Sequence, residues 1–493
     1  MKRFLLLATL IFLTNLCAFS QDNNADTLKL SLREVIELAQ KQSPDITRAR
    51  HYFRTRYWSY VYHKANYLPS LNFSSNPYLN RAINLVPLED GTSKYVRQNM
   101  LDIDANLFIQ QNIAFTGGTL SLITNLERLD MLDMKEVSYR SSPLILSYRQ
   151  SLLGFNALKW DRNIEPMRFE QAKKNYVEDL EYIAQRAVDK FFNLMSAQSN
   201  YQTAGVNYES AKTRYNFAQG RYEIGSMTEN EMLQLEINMF SAENSRMNYF
   251  LSLDDYMQDL RSFLGIKTSQ PIEVIVDEQI PLKEVDQVRA LTFALANSSQ
   301  ILAMELSKKE RDMEVARAKG ESGLNADLTL RVGLTNTGKD IPAVYKDPST
   351  EQAIMVGISF PILDWGRSKG RVQLAKSNRD MVYMEVEQQR NDFEMNVQKA
   401  IKQFNVQPGQ IELATKVDQI AQRRYDVTQR SYLLGRVAIL DLNDSVNEKD
   451  GARRSYISAL HNYWALYYTL RRLTLYDFEK NIPITEDYQL LIK

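Results

Sequence analysis

The chain has 493 residues, with 60 lysines and arginines against 60 aspartates and glutamates, 44% hydrophobic residues and 24% charged residues. This balance lacks the basic surplus of a nucleic-acid-binding protein and excludes that class. Only 18 glycines and 13 prolines occur, and no linker rich in serine, glycine or proline divides the chain. The composition therefore favours one elongated, largely helical body.

The N-terminal residues have the pattern of a secretory signal peptide over residues 1–20. Basic residues and an apolar run, together spanning residues 2–13, precede small residues that end just before Gln21. We therefore expect Gln21 to begin the mature chain. Cys17 is an alternative processing point as a lipidation site, but Leu16 stands where a lipidation motif requires a small residue.

Short amphipathic helices are predicted at the start of each half of the chain, over residues 28–66 and 284–320. Ser31 followed by Glu34 is a capping box, and Pro44 is the first residue of a second helix. The same order of features recurs in the second segment. This recurrence predicts an internal duplication.

The hydrophobic period changes from helical to alternating at about 70–153 and again at about 326–361. These alternating rows are near the ~10 residues that cross a bilayer as a tilted strand, and their opposite face is polar. We favour membrane barrel strands, while a soluble sheet with one wet face remains the alternative. The first strand region is longer by about 45 residues, which indicates a larger surface loop or an extra hairpin at Thr116–Gly118.

A tryptophan follows the last strand pattern in each half, at Trp160 and Trp365, where an interfacial aromatic belt is expected. Long helical hairpins are then predicted over residues 160–264 and 367–478. At 1.5 Å per residue, ~60 residues of helix would reach ~90 Å. Pro408 should kink or break the second hairpin. Each hairpin needs neighbours to cover its apolar seam, and we expect them from its duplicate and from other chains.

Both hairpin patterns carry the same motif at their turn, an aromatic residue and a glycine followed six residues later by an acid. The glycine supplies the left-handed conformation that ends the first helix, and the acid suits the first turn of the second helix. Two ordinary capped turns are the alternative, but repetition at the same offset again predicts duplication. The motif residues are Tyr222, Gly225 and Glu231 in the first turn, and Tyr432, Gly435 and Asp441, followed by Asp444, in the second.

The predicted organisation combines these patterns into two repeats with short flanking segments. Within each repeat, the order is short helices, alternating strands and a long helical hairpin. The parts are a signal peptide (1–20), a first repeat (21–264), a connector (265–283), a second repeat (284–478) and a C-terminal tail (479–493).

Segments that resemble catalytic or metal-binding motifs fail at the residues on which the chemistry depends. Residues 333–339 have the spacing of a phosphate-binding loop, but Asp340 replaces the required hydroxyl residue. Asp441 begins an incomplete calcium loop, because Val446 occupies the position of the obligatory glycine. The three histidines show no metal-ligand spacing. We therefore predict no catalytic residue, no metal site and no cofactor, and hence no enzyme.

The order of these features resembles that of the TolC-like outer-membrane efflux proteins. The resemblance is carried by the opening segment 30–44, by the strand-to-helix joint 360–367 and by the two Tyr-x-x-Gly turns. It covers nearly all of the mature chain. The order and the duplication of the motifs are the specific part of the match.

The resemblance implies an α+β membrane protein in which a trimeric transmembrane β-barrel is continuous with a long periplasmic α-helical barrel, built from an internal duplication. Each protomer would give four strands to one shared twelve-stranded barrel in the Gram-negative outer membrane. The homotrimer would be a passive exit duct of a tripartite efflux or type I secretion system. Its partners would be outer-membrane lipid, a periplasmic adaptor protein and an inner-membrane transporter.

The resemblance also implies roles for the two turns. Asp441 and Asp444, with Glu231 as their duplicated counterpart, would form a periplasmic gate. The tip turns would dock the adaptor through Tyr222, Gly225, Tyr432 and Gly435.

Two departures from the family pattern leave points open. The family's tethering arginine would fall at Val437, whereas Arg436 stands one place early. The extra hairpin at Thr116–Gly118 leaves the number of strands per protomer open. A soluble periplasmic coiled-coil scaffold or adaptor protein remains the alternative function, and the cargo could be a drug, a metal ion or a protein.

Overall fold

The structure is a computed structural model that describes residues 27–87, 91–267, 270–275, 284–434 and 436–492. The predicted signal peptide, with Cys17 and Gln21, lies outside the described residues, as do Gly435 and much of the predicted connector.

The chain forms two compact units. The first, which we call the helical unit, is built from the described parts of Met1–Tyr52, Asn175–Ser298 and Glu394–Asp487. The second, the sheet unit, is built from the described parts of Phe53–Lys174, Ser299–Phe393 and Tyr488–Lys493.

The described helices and strands follow one another in the order short helices, strands and long helices, twice over. The helices are α1 (Leu32–Gln42), α2 (Pro44–Ala65), α3 (Ala157–Glu223), α4 (Glu229–Leu264), α5 (Gln287–Asn297), α6 (Ser299–Glu321), α7 (Ile341–Val344), α8 (Arg367–Leu433), α9 (Ile439–Thr474) and α10 (Tyr488–Ile492). The strands are β1 (Leu28–Ser31), β2 (Ser70–Ser74), β3 (Tyr78–Pro87), β4 (Ser93–Ile113), β5 (Gly118–Met131), β6 (Glu136–Ser151), β7 (Ile272–Ile275), β8 (Asn325–Gly338), β9 (Ser349–Ser359), β10 (Tyr476–Asp477) and β11 (Ile482–Pro483).

The two long helical hairpins have matching lengths. Helices α3 and α8 contain 67 residues each, and α4 and α9 contain 36 residues each. Pro408 lies inside α8, so the break predicted there is not found. A proline removes one backbone N–H donor, but the hydrogen bonds of the helical turns on either side are kept, so the helix continues past Pro408. In the described part of the chain, no helix is both long and apolar enough to cross a membrane.

The sheet unit contains one antiparallel sheet in the order β2-β4-β5-β6-β8-β9, with β3 also paired to β4. Strands β2 and β3 lie end to end along β4, because β2 pairs with its residues 106–110 and β3 with its residues 93–102. The sheet therefore has six rows. The surplus residues of the first half form a hairpin of β4 and β5, which decides between the two predicted possibilities, a loop and a hairpin.

One face of this sheet is apolar and exposed, and the other is polar. Polar groups of neighbouring rows pair across the second face: Asn125 donates to Asn106 at 2.7 Å, and Arg331 lies 3.4 Å from Glu351. The alternation is the period of two that extended strands impose. Exposed apolar residues occur in every row, namely Leu71 and Phe73, Leu107 and Ile109, Leu120 and Leu122, Leu144 and Leu146, Val332, and Ile354, Val356 and Ile358.

The helices of the helical unit begin and end where the sequence supplies caps. The Glu34 N–H donates to the Ser31 hydroxyl at 3.4 Å, and the Ser31 N–H donates to the Glu34 carboxylate at 2.8 Å, which confirms the predicted capping box. Helix α4 ends at Gly265 in the left-handed conformation. The inward faces bury aliphatic and aromatic side chains, including Leu32, Val35 and Ile36 of α1, Val188 and Phe191 of α3, and Leu460 and Tyr463 of α9.

Buried ion pairs join α3, α9 and the segment after α9. The Arg471 guanidinium donates to both carboxylate oxygens of Glu181, at 2.7 and 2.9 Å, and also to Asp477. Asp477 accepts further bonds from the Tyr467 hydroxyl at 3.2 Å and the Lys480 N–H at 3.0 Å. Because Glu181 and Asp477 are only 2% and 4% exposed, these bonds replace the water that the charges lose on folding.

We expect Arg471→Met to lower the free energy of unfolding by about 3–5 kcal/mol, because it leaves Glu181 and Asp477 buried without their cation. Lys416→Met is the control, since Lys416 pairs with Glu412 at 2.6 Å on the surface, where both side chains are exposed. Surface pairs contribute only about 0–1 kcal/mol. Denaturant titration of the detergent-extracted protein, followed by circular dichroism, measures both; an equal loss in the two variants would contradict the assignment.

The same ion pairs give stability a predicted dependence on pH. Burial raises the pKa of Asp477, but the Lys480 N–H and Arg471 outweigh burial and hold this pKa below its ordinary value. The contribution of a depressed carboxylate is complete above its unfolded-state pKa and is lost as the pH falls through the folded value. We expect the stability difference between wild type and Asp477→Asn to shrink below about pH 4. A difference that stays constant down to pH 2 would refute this.

Candidate functional site

The turn between α3 and α4 is closed by backbone hydrogen bonds around Gly225. The Gly225 N–H donates to the Tyr222 carbonyl, and the Ser226 N–H donates to the Arg221 carbonyl, each at 2.8 Å. This pair of bonds is a Schellman motif, and Gly225 has the left-handed φ of +76° that it requires. A Cβ at Gly225 would meet nothing within 4 Å, so the need for glycine comes from backbone strain and not from crowding.

Glu231 caps the N-terminus of α4. Its carboxylate accepts from the Thr228 N–H at 3.1 Å and from the Thr228 hydroxyl at 2.9 Å, while its own N–H donates to that hydroxyl at 3.4 Å. The backbone and hydroxyl donors of Thr228 lower the pKa of Glu231. The carboxylate predicted as a gate element therefore has a structural role, since it completes a capping box.

The turn between α8 and α9 repeats this arrangement with one part missing. The Arg436 N–H donates to the Ser431 carbonyl at 2.9 Å, the same closure as in the first turn. Asp441 accepts from the Ala438 N–H at 3.2 Å and occupies the place of Glu231. Because alanine has no side-chain acceptor, only half of the capping box forms. Gly435 lies outside the described residues.

Asp444 lies one helical turn beyond Asp441, and both carboxylates are exposed. Residues three apart share one face of a helix. Leu442 and Ser445, on the neighbouring face of α9, are packed inward and fully buried. Within the described residues, the Asp444 carboxylate has no hydrogen-bond or ion-pair partner, and no such bond joins Asp441 or Asp444 to Glu231. Asp444 thus presents free charge to the solvent, while Asp441 is exposed and also caps α9.

A few residues after this turn, polar contacts join α9 to α8 and α3. Arg424 of α8 pairs with Glu448 of α9. Asn207 of α3 donates to Asp450 at 2.8 Å. Arg436, which stands near the place of the family's tethering arginine, has an exposed side chain.

Sequence reasoning did not single out Arg214, a half-buried cation on α3. It lines an open cavity of the helical unit together with Tyr432 and Leu442. Burial lowers the pKa of its guanidinium, while Tyr425 and Tyr432 act in the opposite direction. In the described part of the chain, no acceptor pairs with Arg214. A basic residue at a helical position carries no sequence signal of such burial, so only the fold reveals it.

The two tryptophans occupy different environments. Trp365 precedes α8, is 89% exposed and has a left-handed φ of +55°. Asp364 caps that helix by accepting from the Ser368 N–H at 2.9 Å. Trp160 lies in the first turns of α3 and is half-buried. A role for either residue at a membrane interface stays a prediction.

Among the described residues, no group of three or more histidines, cysteines, aspartates or glutamates is arranged to hold a metal ion. His461 instead pairs with Asp189 at 2.7 Å.

Substitutions at the N-cap positions of α4 and α9 should change the local stability of the two helix ends in opposite directions. Thr228→Ala removes an N-cap acceptor, which costs about 1 kcal/mol, so the amides at 229–231 should exchange with solvent about five times faster. Ala438→Ser supplies the missing acceptor and should slow exchange at residues 439–441. Hydrogen exchange read by mass spectrometry measures both segments, and unchanged exchange in both variants would contradict the capping assignments.

Part of the chain matches a known protein family. The sequence model of the outer membrane efflux protein family matches residues 290–474. No curated protein sequence matches the chain.

Several solved structures share the fold over most of their length. The Campylobacter jejuni CmeC outer membrane channel aligns with a TM-score of 0.65 at 17% identity, covering 94% of this chain and 88% of CmeC. The Vibrio cholerae outer membrane protein VceC gives 0.61 at 13% identity, covering 90% and 95%. The open state of the Neisseria gonorrhoeae MtrE outer membrane channel gives 0.60 at 15% identity, covering 90% and 88%. At these identities the likeness establishes the α+β fold.

The matched family consists of efflux proteins and not of enzymes. The family match and the shared fold together confirm the resemblance that the sequence motifs indicated. Residues 290–474 therefore match the outer membrane efflux protein family, and the chain is similar in fold to solved outer membrane channels.

Proposed function

We propose that three copies of this chain form the passive outer-membrane exit duct of a tripartite efflux or type I secretion system, gated at its periplasmic helical tip. One observation carries the proposal: the sheet unit presents an exposed apolar band that runs through all six rows, with a polar face behind it.

The band has the properties of a lipid-facing surface. A membrane strand needs ~10 residues with apolar side chains turned outward and polar ones turned to a water-filled lumen. Leu122 of β5 lies opposite Leu146 of β6, which in turn lies opposite Val332 of β8. A soluble scaffold would expose this band to water at a high cost in free energy. Closure of the sheet into a transmembrane β-barrel removes that cost.

Apolar seams on the long helices support an oligomer. One seam lies on α8, where exposed apolar residues recur at every seventh position, as in a coiled coil. A second lies on α4, where steps of four, three, seven and four residues fit the same heptad repeat. The α8 seam consists of Val406, Leu413, Ile420 and Val427, with Leu434 directly after the helix, and the α4 seam consists of Leu233, Ile237, Phe240, Met247 and Leu251.

Two different unpartnered seams on one chain favour a ring. A seam that packs on a different seam of the next copy makes a head-to-tail interface, and such an interface gives a cyclic oligomer when the rotation between copies closes. The family resemblance implies three copies. The equal lengths of α3 and α8, and of α4 and α9, support the internal duplication that would give the ring its near-regular wall of helices.

The gate is assigned to Asp441 and Asp444. Three copies would place six carboxylates around one axis, where each raises the energy of the others and together they attract cations. Asp444 is the free charge of the pair, while Asp441 also caps α9. Glu231 is the least suited to gating, because Thr228 already engages its carboxylate.

The tip turns are assigned to docking of a periplasmic adaptor, which would connect the duct to an inner-membrane transporter. Tyr222 is exposed, and beside it Ile224 is 79% exposed next to the bare backbone of Gly225. Leu434 is likewise exposed beside Tyr432 and Gly435. Small apolar tips with open glycine backbone suit close approach of a partner helix.

Replacing Ile420 with glutamate should prevent the trimer, because it places a charge in the middle of the α8 seam. Gln422→Glu is the control, since this exposed residue lies about 200° round the same helix. Native mass spectrometry of protein extracted from the outer membrane measures the result. Intact trimers of the Ile420 variant would argue against the seam.

Asp441→Ala combined with Asp444→Ala should relieve block of the closed channel by multivalent cations and reduce its cation selectivity, because the ring of charge is removed. Glu412→Ala controls for loss of a surface acid outside the turn. Single-channel recording in planar bilayers measures both properties. Unchanged block in the double variant would refute the gate assignment.

A further inference from the structure

We infer that each protomer contributes six strands to the membrane wall, so that the trimer encloses an eighteen-stranded barrel in place of the twelve-stranded one that the family resemblance implies. This inference rests on the proposed trimeric duct. It concerns the width of the outer-membrane segment and the surfaces on which the copies meet.

The added strands are β4 and β5, inserted as a hairpin between the first and last strand rows of the first half. The second half has only β8 and β9 at the corresponding place. All neighbouring rows are antiparallel, from β2 through β4, β5, β6 and β8 to β9. The hairpin is therefore continuous with the sheet and does not pack over one of its faces.

The apolar band continues across β4 and β5 in register with the neighbouring strands. In one register line across the sheet, Leu71 lies opposite Ile109, Ile109 opposite Leu122, and Leu122 opposite Leu146. The next row continues the line with Val332. Strands lying outside a barrel would have no reason to present apolar residues in register with the lipid-facing ones.

The polar face passes through the hairpin in the same way. Asn125 of β5 donates to Asn106 of β4 at 2.7 Å, and Arg140 of β6 donates to Glu127 of β5 at 2.5 Å. These bonds cross both boundaries of β5. The inserted strands thus have one face suited to lipid and one suited to a water-filled lumen.

The turn of the β4–β5 hairpin is held by hydrogen bonds from the end of β6 and from the segment just before α3. Asn156, just before α3, donates to the Ala114 carbonyl at 3.1 Å, and Gln150 donates to the Thr116 carbonyl at 2.6 Å. Gly117 has φ of +80°, and a Cβ there would lie 2.7 Å from the Asn156 side chain. The left-handed backbone and the lack of space for a Cβ both require glycine at this turn. The hydrogen bonds from Gln150 and Asn156 hold the turn against its neighbours.

The two edges of the sheet are suited to pairing with a second copy of the chain. Among the described strands, β2 pairs only with β4 and β9 only with β8. With six antiparallel rows, β2 and β9 run in opposite directions, so β9 of one copy can pair antiparallel with β2 of the next. Both edges carry the apolar band, with Leu71 at 65% and Val356 at 55% exposure. Three copies of six rows then close without a free edge.

The added strands change what the outer segment admits. Barrel diameter grows roughly linearly with strand number, so eighteen strands give a barrel roughly 1.5-fold wider than twelve. Barrels of 16–18 strands are the class that leaves an aqueous channel. The membrane segment would then pass bulkier hydrated solutes than a twelve-stranded duct.

Electron cryomicroscopy of the full-length trimer in lipid nanodiscs tests the inference by counting strands in cross-section. Eighteen strands support it, and twelve strands in an intact trimer overturn it while leaving the proposed duct unaffected. If the purified protein is not a trimer, the proposed function fails instead.

Cysteine pairs test the same edges in the cell envelope. Leu71→Cys combined in turn with Ile354→Cys, Val356→Cys or Ile358→Cys should give at least one disulfide that links two subunits. Leu71→Cys with Ile109→Cys is the control and should link only within one subunit, because these residues face each other across β2 and β4. Links between subunits from Leu122→Cys to the β9 cysteines would make β5 an edge strand and overturn the inference.

Discussion

Hydrogen bonding of the sheet backbone is the constraint on which the architecture depends. The ladders from β2 to β9 satisfy the rows on their inner sides and leave the outer sides of β2 and β9 for a neighbour. In hydrocarbon, an open edge is not tolerated, because no water can bond to its N–H and C=O groups. Under the proposed lipid-facing orientation of the exposed apolar band, backbone chemistry requires ring closure with other copies.

The helical unit contains two kinds of charged residue, buried and paired ones and exposed ones. Glu181, Arg471 and Asp477 are buried and fully engaged with one another, so they hold helices in place. Asp444 is exposed and unengaged within the described residues, so its charge acts on the surrounding solution. A buried charge without a partner is costly, whereas an exposed one is nearly free to keep. The proposed electrostatic gate needs both features: helices held in place by buried ion pairs, and an exposed acid at the turn that is free to act on passing ions.

Much of this could be predicted from sequence, because helical and alternating periods reflect which face of an element is buried or apolar. The helices, the strand rows and the turn at Gly225 are of this kind. The structure corrected finer points, which depend on tertiary context. Thr228 and Glu231 have the same capping-box spacing as Ser31 and Glu34, so the cap on α4 was readable in the sequence even though Glu231 was predicted as a gate residue. Alternation does not show how the rows pair, so the choice between a loop and the β4–β5 hairpin needed the structure. Burial of Arg214 and passage of α8 through Pro408 likewise left no sequence signal.

A water-filled duct through the outer membrane, as proposed for this chain, lets small polar solutes cross a bilayer, and solute flux through reconstituted trimers measures this. Purified trimers would be inserted into liposomes loaded with a small polar dye, with release followed by fluorescence after the periplasmic tip is opened by the Asp441→Ala and Asp444→Ala changes. We expect dye release in proportion to the amount of inserted trimer. Liposomes that hold inserted trimers and retain their dye would contradict it.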